Sequence, residues 1–238
     1  MLSSYILPAV IMAGVAYARP TKLALPPAFF LAGDSTTAPD GGWGDAFVAS
    51  LTSNSTGTNS GHSGATTGSF RSDATRTSTY TPYVTIQFGH NDQKTDAGVA
   101  TFLDNLVQFD KDVRDAGGQP IFFTSLTRRS FGDDETVVDD LANVRELTIQ
   151  AAEKTGALWA DLNTVSREYV NAIGEENAHT YNLAEDDNTH LNEAGGIVFA
   201  GIVGLLLKGP NADFDQYIRI ESELVAAVEA GEYYYPVL

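Results

Sequence analysis

Short apolar runs alternate with segments of helical periodicity along the sequence beyond residue 26. Runs that are both short and apolar are typical of strands buried on both faces. The predicted strands are residues 28–32, 83–88, 120–126 and 157–162. Because helical segments separate them, the pattern indicates βαβ units and a parallel sheet covered by helices on both faces.

The segments between the strands carry apolar residues at helical spacing. Residues 99–116 place Phe102, Leu106 and Phe109 on one face and are followed by two glycines, which favour a helix end. The other predicted helices are residues 136–154, 193–207 and 211–230. The last of these is expected to pack on the core rather than to bind a partner.

Composition limits the classes of protein to which the chain can belong. The 238 residues, 43% of them hydrophobic, suit one α/β domain, and a core of that size needs no metal or disulfide. The absence of cysteine excludes a disulfide framework, a thiolate nucleophile and cysteine-ligated metal sites. A net charge of -17 repels phosphate groups, so we expect neither a nucleic-acid nor a membrane partner. We also expect a monomer.

The first 18 residues have the character of a secretory signal peptide. They carry no charge, contain an apolar stretch too short to span a bilayer comfortably, and end in Ala-Tyr-Ala at 16–18. A buried N-terminal helix is the alternative, although Arg19 and Pro20 follow at once. A glycosylation sequon at residues 54–56 agrees with secretion. We therefore expect cleavage near residue 18, an extracellular protein, and a single domain over residues 19–238.

Polar residues follow the first predicted strand directly, at Gly33, Asp34 and Ser35. Ligand sites of open parallel sheets lie at the carboxyl ends of the strands. A serine on a turn that glycine makes possible can direct its hydroxyl and its backbone N–H toward one point in a crevice. Taken alone, however, the triplet fits a helix N-cap better, because serine before a helix is common.

Two further polar segments occupy comparable positions. Asn91 follows the predicted strand 83–88 and can offer its amide to an oxyanion, although an Asx turn fits an isolated Asn-Asp pair better. Asp187 precedes His190 by three residues, a spacing at which a carboxylate can orient an imidazole, although capping and solvation explain most such pairs. Together with Ser35, these segments supply a nucleophile, an oxyanion donor and an oriented base, which rarely occur jointly by chance.

The order of these segments resembles that of the SGNH or GDSL hydrolases. The matching residues of the family's four blocks are Gly33, Asp34 and Ser35, then Gly64, then Gly89, His90, Asn91 and Asp92, and finally Asp187 and His190. Thr36 stands where leucine gives the GDSL enzymes their name. The resemblance covers residues 28–205 and implies a flavodoxin-like three-layer α/β/α sandwich with a mostly parallel five-stranded sheet.

Within that superfamily the sequence is most similar to the rhamnogalacturonan acetylesterases. The Gly-Asp-Ser-Thr-Thr segment is followed by Gly42, Trp43 and Gly44, and residues 127–131 and the Asp-Asn-Thr-His block are similar to bacterial members. The chain departs from the family over residues 52–60, which are polar where the family has an apolar strand. The resemblance implies a secreted serine esterase that deacetylates pectic rhamnogalacturonan, with acetyl xylan and small or lipid esters as broader alternatives.

The resemblance also implies a role for each matched residue. Ser35 is the expected nucleophile, His190 the base that takes its proton, and Asp187 the residue that orients His190. The backbone N–H groups of Ser35 and Gly64 and the side-chain amide of Asn91 are expected to line the oxyanion hole.

Two other interpretations use the same segments. His90, Asp92, Asp187 and His190 offer the donors of a hard metal site, but such a site leaves Ser35 without a role. We expect no metal and no cofactor. The other interpretation is a non-catalytic carbohydrate-binding protein on the same fold, against which the complete set of residues argues.

Three more polar residues have structural expectations. Asp34 is expected to brace the turn rather than to react, and His62 and His179, which lie outside the four blocks, are expected to be exposed.

Basic residues follow the second block, the third block and the predicted strand 120–126. They are Arg71, Arg76, Lys94, Arg128 and Arg129. Arginine can form paired hydrogen bonds with a uronate carboxylate, so Arg128 and Arg129 are predicted to bind an acetylated polysaccharide substrate. The alternative is that all five are scattered surface charges paired with the abundant acids.

Overall fold

A parallel sheet of five strands forms the centre of the computed structural model, which describes residues 25–70, 81–209 and 212–238. The strands are β1 (Pro27–Gly33), β2 (Thr56–Asn59), β3 (Thr81–Gln87), β4 (Gln119–Phe123) and β5 (Leu158–Ala160). Their order in the sheet is β2-β1-β3-β4-β5, and every neighbouring pair is parallel. This is the flavodoxin-like order, which confirms the predicted fold class.

Helices cover both faces of the sheet. They are α1 (Gly44–Ala49), α2 (Asp96–Asp115), α3 (Ala142–Thr155), α4 (Leu162–His179), α5 (Glu193–Lys208) and α6 (Ser222–Ala230). Alternate strand residues face opposite sides, so Phe123 of β4 joins the larger core cluster with α4, α5 and α6, whereas Phe122 joins the smaller one with α2 and α3. In the described ranges no helix combines the length and the apolar character that crossing a membrane requires.

The edge strand β2 lies in the polar segment 52–60, where apolar periodicity predicts no strand. Among the described strands it pairs only with β1, and its residues are alternately exposed and half-buried. An edge strand that is partly open to solvent does not need the apolar sequence of a central strand, because one of its faces and one of its sides remain hydrated.

Turn chemistry delays the start of α3, which begins at Ala142 rather than at residue 136. The Asp134 carboxylate accepts hydrogen bonds from both the backbone N–H and the hydroxyl of Thr136, and Glu135 takes a positive φ of 59°. Such a turn competes with helix formation, so the predicted boundary was wrong by six residues.

The C-terminal segment 211–230 is not one helix. A 3-10 helix at Ala212–Gln216 is followed by extended chain, and α6 begins only at Ser222. The apolar residue Ile218 is nevertheless buried in the larger core cluster, and its backbone forms an antiparallel bridge with Leu51. Helix α4, which periodicity did not predict, begins where the Asp161 carboxylate caps the N–H of Thr164. The predicted signal peptide lies outside the described residues.

Candidate active site

A tight turn after β1 presents Ser35. The Asp34 carboxylate accepts hydrogen bonds from the backbone N–H of Thr36 at 3.0 Å and from its hydroxyl at 2.8 Å, which closes the turn across Ser35. A Cβ on Gly33 would lie 2.2 Å from the Thr37 hydroxyl oxygen, so only glycine fits before the turn. The next helix, α1, starts at Gly44, so the N-cap interpretation of Ser35 was wrong.

The loop before α5 presents Asp187 and His190. One oxygen of Asp187 accepts the backbone N–H groups of Thr189 at 3.0 Å and of His190 at 2.9 Å. The other oxygen lies 2.8 Å from Nδ1 of the His190 imidazole. Asn192, not Asp187, caps α5, so the carboxylate is committed to the histidine.

The two loops meet through their side chains. Nε2 of His190 lies 2.9 Å from Oγ of Ser35, although the residues are 155 positions apart in the chain. Hydrogen bonds from the His190 N–H, the imidazole and the Thr189 N–H outweigh partial burial and hold the pKa of Asp187 below its usual value. A charged Asp187 accepts a hydrogen bond from the Nδ1–H, which leaves Nε2 unprotonated and able to accept the hydroxyl proton of Ser35.

The second predicted block lies beside the Ser35 turn. The backbone N–H of His62 donates to the Gly33 carbonyl at 3.0 Å, and the Ala65 carbonyl accepts the Asn91 amide at 3.0 Å. Gly64 has a φ of +77°, in the left-handed region that favours glycine. Within the described ranges, the N–H groups of Ser35 and Gly64 donate to no acceptor and are available to an anion.

The amide of Asn91 is held from both ends. Its nitrogen donates one proton to the Ala65 carbonyl, and its oxygen accepts the Lys94 ammonium at 2.7 Å. The second amide proton has no acceptor assigned among the described residues. The side chain therefore does not form the local Asx turn that an isolated Asn-Asp pair favours.

Ser35, His190 and Asp187 thus form a hydrogen-bonded Ser-His-Asp chain at the carboxyl ends of a parallel sheet. The model of the GDSL-like lipase/acylhydrolase family matches residues 31–196. The chain belongs to this family. It is accordingly a carboxylic ester hydrolase.

The relatives of this GDSL-like hydrolase include a curated enzyme and several solved structures. The rhamnogalacturonan acetylesterase RhgT of Bacillus subtilis is 30% identical over 73% of this chain and 86% of the relative. Protein YXIM of Bacillus subtilis shares the fold with a TM-score of 0.67 and 22% identity over 77% of this chain, which spans only 56% of that structure. The acetylxylan esterase Axe2 of Geobacillus stearothermophilus has a TM-score of 0.57 at 14% identity, covering 80% and 96% of the two chains.

Arg129 does not reach the surface of the GDSL-like site. The residue is fully buried, and Nη2 of its guanidinium donates to the His190 carbonyl at 2.7 Å. The prediction that Arg129 binds substrate was therefore wrong, because no solvent-exposed part of the side chain remains.

Arg128 lines an open cleft of about 800 Å³ together with His190 and Asp140. Its guanidinium pairs with the Asp140 carboxylate. Acidic residues form much of the remaining wall, at Glu185 and Asp186. The other basic residues do not all gather here: Lys94 binds Asn91, and Arg71 and Arg76 lie outside the described residues.

The four residues of the metal-site interpretation do not form one ligand set. The imidazole of His90 is buried, with Nε2 2.9 Å from the Leu126 carbonyl, and burial lowers its pKa to about 3. Asp92 accepts the N–H and the hydroxyl of Thr67 at 2.9 and 2.6 Å. In the described part of the chain, no three His, Asp or Glu side chains are grouped as metal ligands.

Two other predictions have different outcomes. His62 is exposed, as predicted. His179 is half-buried, with Nε2 2.9 Å from the Arg129 carbonyl, so the prediction of an exposed His179 was wrong. This contact places the end of α4 against the loop that carries Arg129.

Gln87 is a site residue that the sequence analysis missed. Its side-chain oxygen accepts a hydrogen bond from the hydroxyl of Thr37 at 3.2 Å, and its amide nitrogen donates to the hydroxyl of Thr36 at 3.0 Å, so it holds the turn that presents Ser35. A glutamine inside an apolar strand segment was the indication, because a buried amide requires partners.

Proposed function

We propose that this GDSL-like hydrolase is a secreted acetylesterase that removes O-acetyl groups from rhamnogalacturonan, the branched backbone of pectin. The contact between Ser35 Oγ and His190 Nε2 at 2.9 Å carries the chemical part of the proposal. The 30% identical rhamnogalacturonan acetylesterase supports the substrate. The uncharged, apolar segment at residues 1–18 supports secretion.

Ester cleavage proceeds in two steps on these residues. His190 Nε2 takes the Ser35 proton as Oγ bonds to the acetyl carbonyl carbon, and the resulting imidazolium then protonates the departing sugar oxygen as the ester C–O bond breaks. A water molecule next gives a proton to His190 and attacks the acetyl-serine. Acetate leaves, and the proton returns from His190 to Ser35. Asp187 stabilises the imidazolium in both steps.

The oxyanion of each tetrahedral intermediate needs donors that are already in place. The N–H groups of Ser35 and Gly64 and the second amide proton of Asn91 meet that need, because none is used by another described residue. Donors of this kind each contribute about 3 kcal/mol to the transition state, since they are aimed at charge that develops only there.

The cleft beside His190 favours a second candidate substrate. Asp140 neutralises Arg128, and Glu185 and Asp186 add negative charge to the wall. A uronate-bearing polymer is repelled by such a wall, whereas a neutral acetylated polymer such as acetyl xylan is not. A broader polysaccharide acetylesterase is therefore the alternative to a pectin-specific one.

Acetate release from polymers distinguishes the two candidates. The purified protein is incubated with acetylated rhamnogalacturonan and with acetylated xylan, and p-nitrophenyl acetate serves as a small neutral ester. We expect kcat/KM to be higher on the pectic polymer. Faster release from xylan would replace the pectic substrate by the broader class, and no release from either polymer would refute the proposed polysaccharide substrate.

A variant of Arg128 tests whether the charge of its guanidinium binds a uronate carboxylate of the substrate. We expect Arg128→Ala to lower turnover of acetylated rhamnogalacturonan about tenfold while sparing p-nitrophenyl acetate, in line with one lost charge-assisted contact. Arg167→Ala is the matched control, because Arg167 is similarly exposed, pairs with Asp139 and does not line the cleft. Equal losses on both esters would remove Arg128 from substrate recognition.

A further inference from the structure

A buried guanidinium lies behind the loop that carries Asp187 and His190. Arg129 is 0% exposed, and no described carboxylate forms a salt bridge with it. Its Nε donates to the Asn182 side-chain oxygen at 2.6 Å, and its Nη1 has no hydrogen-bond partner among the described residues. A buried charge that forms no salt bridge is costly, so its retention requires an explanation.

The hydrogen bonds of Arg129 converge on one four-residue segment. Nη2 donates to the His190 carbonyl at 2.7 Å and lies 3.5 Å from the Asp187 carbonyl. The backbone N–H of Arg129 donates to the Asn188 carbonyl at 2.8 Å. A single residue therefore holds three of the four carbonyl groups between Asp187 and His190.

The same segment is fixed from a second direction. The Asn182 amide, whose oxygen accepts the Arg129 Nε, donates to the Asn188 side chain at 2.9 Å. Burial lowers the pKa of Arg129 to about 10, and the nearby Asp187 charge acts in the opposite direction. The guanidinium is thus protonated at neutral pH and keeps all its donors.

We propose that Arg129 is a positioning residue that holds the Asp187–His190 segment in place, so that Nε2 of His190 stays within hydrogen-bonding reach of Ser35. The inference rests on the proposed serine mechanism. It assigns Arg129 no contact with substrate, because the side chain is buried. The planar fork is what the role needs: Nε and Nη2 point to the Asn182 side chain and the His190 carbonyl at once, which an ammonium cannot do.

Kinetics of two variants test this role. Displacing a catalytic group by about 1 Å can cost 100-fold in rate. We expect kcat for p-nitrophenyl acetate to fall about 100-fold in Arg129→Met and about tenfold in Arg129→Lys, with KM within twofold of the wild type. The rate at which an organophosphonate labels Ser35 should fall in parallel, since labelling needs the Ser35–His190 pair but no polysaccharide.

Arg145→Met is the control for general loss of stability. Arg145 donates from Nε and Nη2 to the Asp161 carboxylate, away from the 187–190 segment, so Arg145→Met should lower the melting temperature and leave kcat unchanged. Unchanged kcat in Arg129→Lys, or a loss confined to KM, would overturn the inference, and Arg129→Lys decides the matter if Arg129→Met does not fold. Ser35→Ala separates the two proposals: if it stays active, the serine mechanism itself fails.

Discussion

The indole N–H of Trp43 donates to the side-chain oxygen of Gln87 at 3.0 Å. The same oxygen accepts the Thr37 hydroxyl at 3.2 Å, and the Gln87 amide nitrogen donates to the Thr36 hydroxyl at 3.0 Å. One amide at the end of β3 therefore ties the Ser35 turn to the segment that leads into α1. All four side chains are fully buried, so none of these groups can bond water instead.

Replacing Gln87 by leucine should lower both stability and activity. Gln87→Leu leaves the Trp43 N–H without its acceptor, and an unpaired buried polar group costs about 1 to 3 kcal/mol. We expect a loss of about 3 kcal/mol in the free energy of unfolding, measured by urea denaturation, and a lower kcat because the Ser35 turn loosens. Gln108→Leu, at an exposed position on α2, should change stability by less than about 0.5 kcal/mol. Equal effects of the two changes would contradict the role given to Gln87.

Loss of the Ser35 hydroxyl should abolish esterase activity. Ser35→Ala removes the only atom that can form the acetyl-enzyme in the proposed mechanism, and an organophosphonate should label the wild type at Ser35. Mass spectrometry of the labelled peptide identifies the site. A chelator should leave activity unchanged. If a chelator abolishes activity and the organophosphonate leaves Ser35 unlabelled, the metal-site interpretation is supported instead.

Substitutions of Asp187 and of His190 should reduce esterase activity to different extents. His190→Ala removes the base and should be nearly as damaging as Ser35→Ala. Asp187→Asn removes the charge that fixes the imidazole tautomer, and we expect kcat to fall by up to about 10⁴-fold. Activities are compared on p-nitrophenyl acetate. Near wild-type kcat in Asp187→Asn would show that another group supports the histidine.

Asp34 should make stability depend on pH in the mildly acidic range. Burial raises its pKa to about 6 from the ordinary value of 3.8, although hydrogen bonds from Thr36 act in the opposite direction. The folded state binds the Asp34 proton more tightly than the unfolded state, so protonation of Asp34 stabilises the fold. This stabilisation is complete below pH 3.8 and is lost as pH rises through 6. The fall corresponds to about 3 kcal/mol.

The variant Asp34→Asn isolates that effect. It keeps an oxygen that can accept from Thr36 but does not titrate, so the difference in unfolding free energy between wild type and variant should change between pH 4 and 7. Urea denaturation at a series of pH values measures it. A difference that stays constant with pH would mean that Asp34 has an ordinary pKa in the folded protein.

A side chain at Gly64 would have enough space, but the backbone conformation there is unfavourable for any residue other than glycine. A Cβ at this position would meet no atom within 4 Å, whereas its φ of +77° is unfavourable for other residues. We expect Gly64→Ala to cost about 1 to 2 kcal/mol of stability and to lower kcat, because relief of the strain would turn the N–H away from the oxyanion. Gly156→Ala, at a φ of +67° at the end of α3 and likewise free of contacts, should cost similar stability but leave kcat unchanged.

The catalytic chain could be predicted from the sequence because Ser35 directly follows a recognisable strand and Asp187 and His190 lie just before a recognisable helix. Ser35, Asp187 and His190 need only their local turns and the topology of a parallel sheet to meet. The role of Arg129 could not be predicted in this way. Its partners lie 53 to 61 positions away, and an arginine after a strand looks the same in the sequence whether its side chain enters the cleft or the core.

The same division holds for the fold. The central strands β1, β3 and β4 were found because both their faces are buried, which requires apolar residues throughout. β2 was missed because an edge position relaxes that requirement, and the long C-terminal helix was wrong because the Leu51–Ile218 bridge replaces helical pairing there. The spacing of apolar residues in the sequence indicated which residues are buried, but not the backbone conformation in which they are buried.

The two outermost strands also affect how the molecule behaves at high concentration. β2 has four residues and β5 has three, and no further described strand pairs with either. Unpaired strand edges can recruit strands from other molecules, and the tendency grows with their length and flatness. Edges this short offer few backbone groups to a second molecule, so the sheet resists edge-to-edge aggregation, and the strong mutual repulsion of chains carrying -17 adds to that resistance.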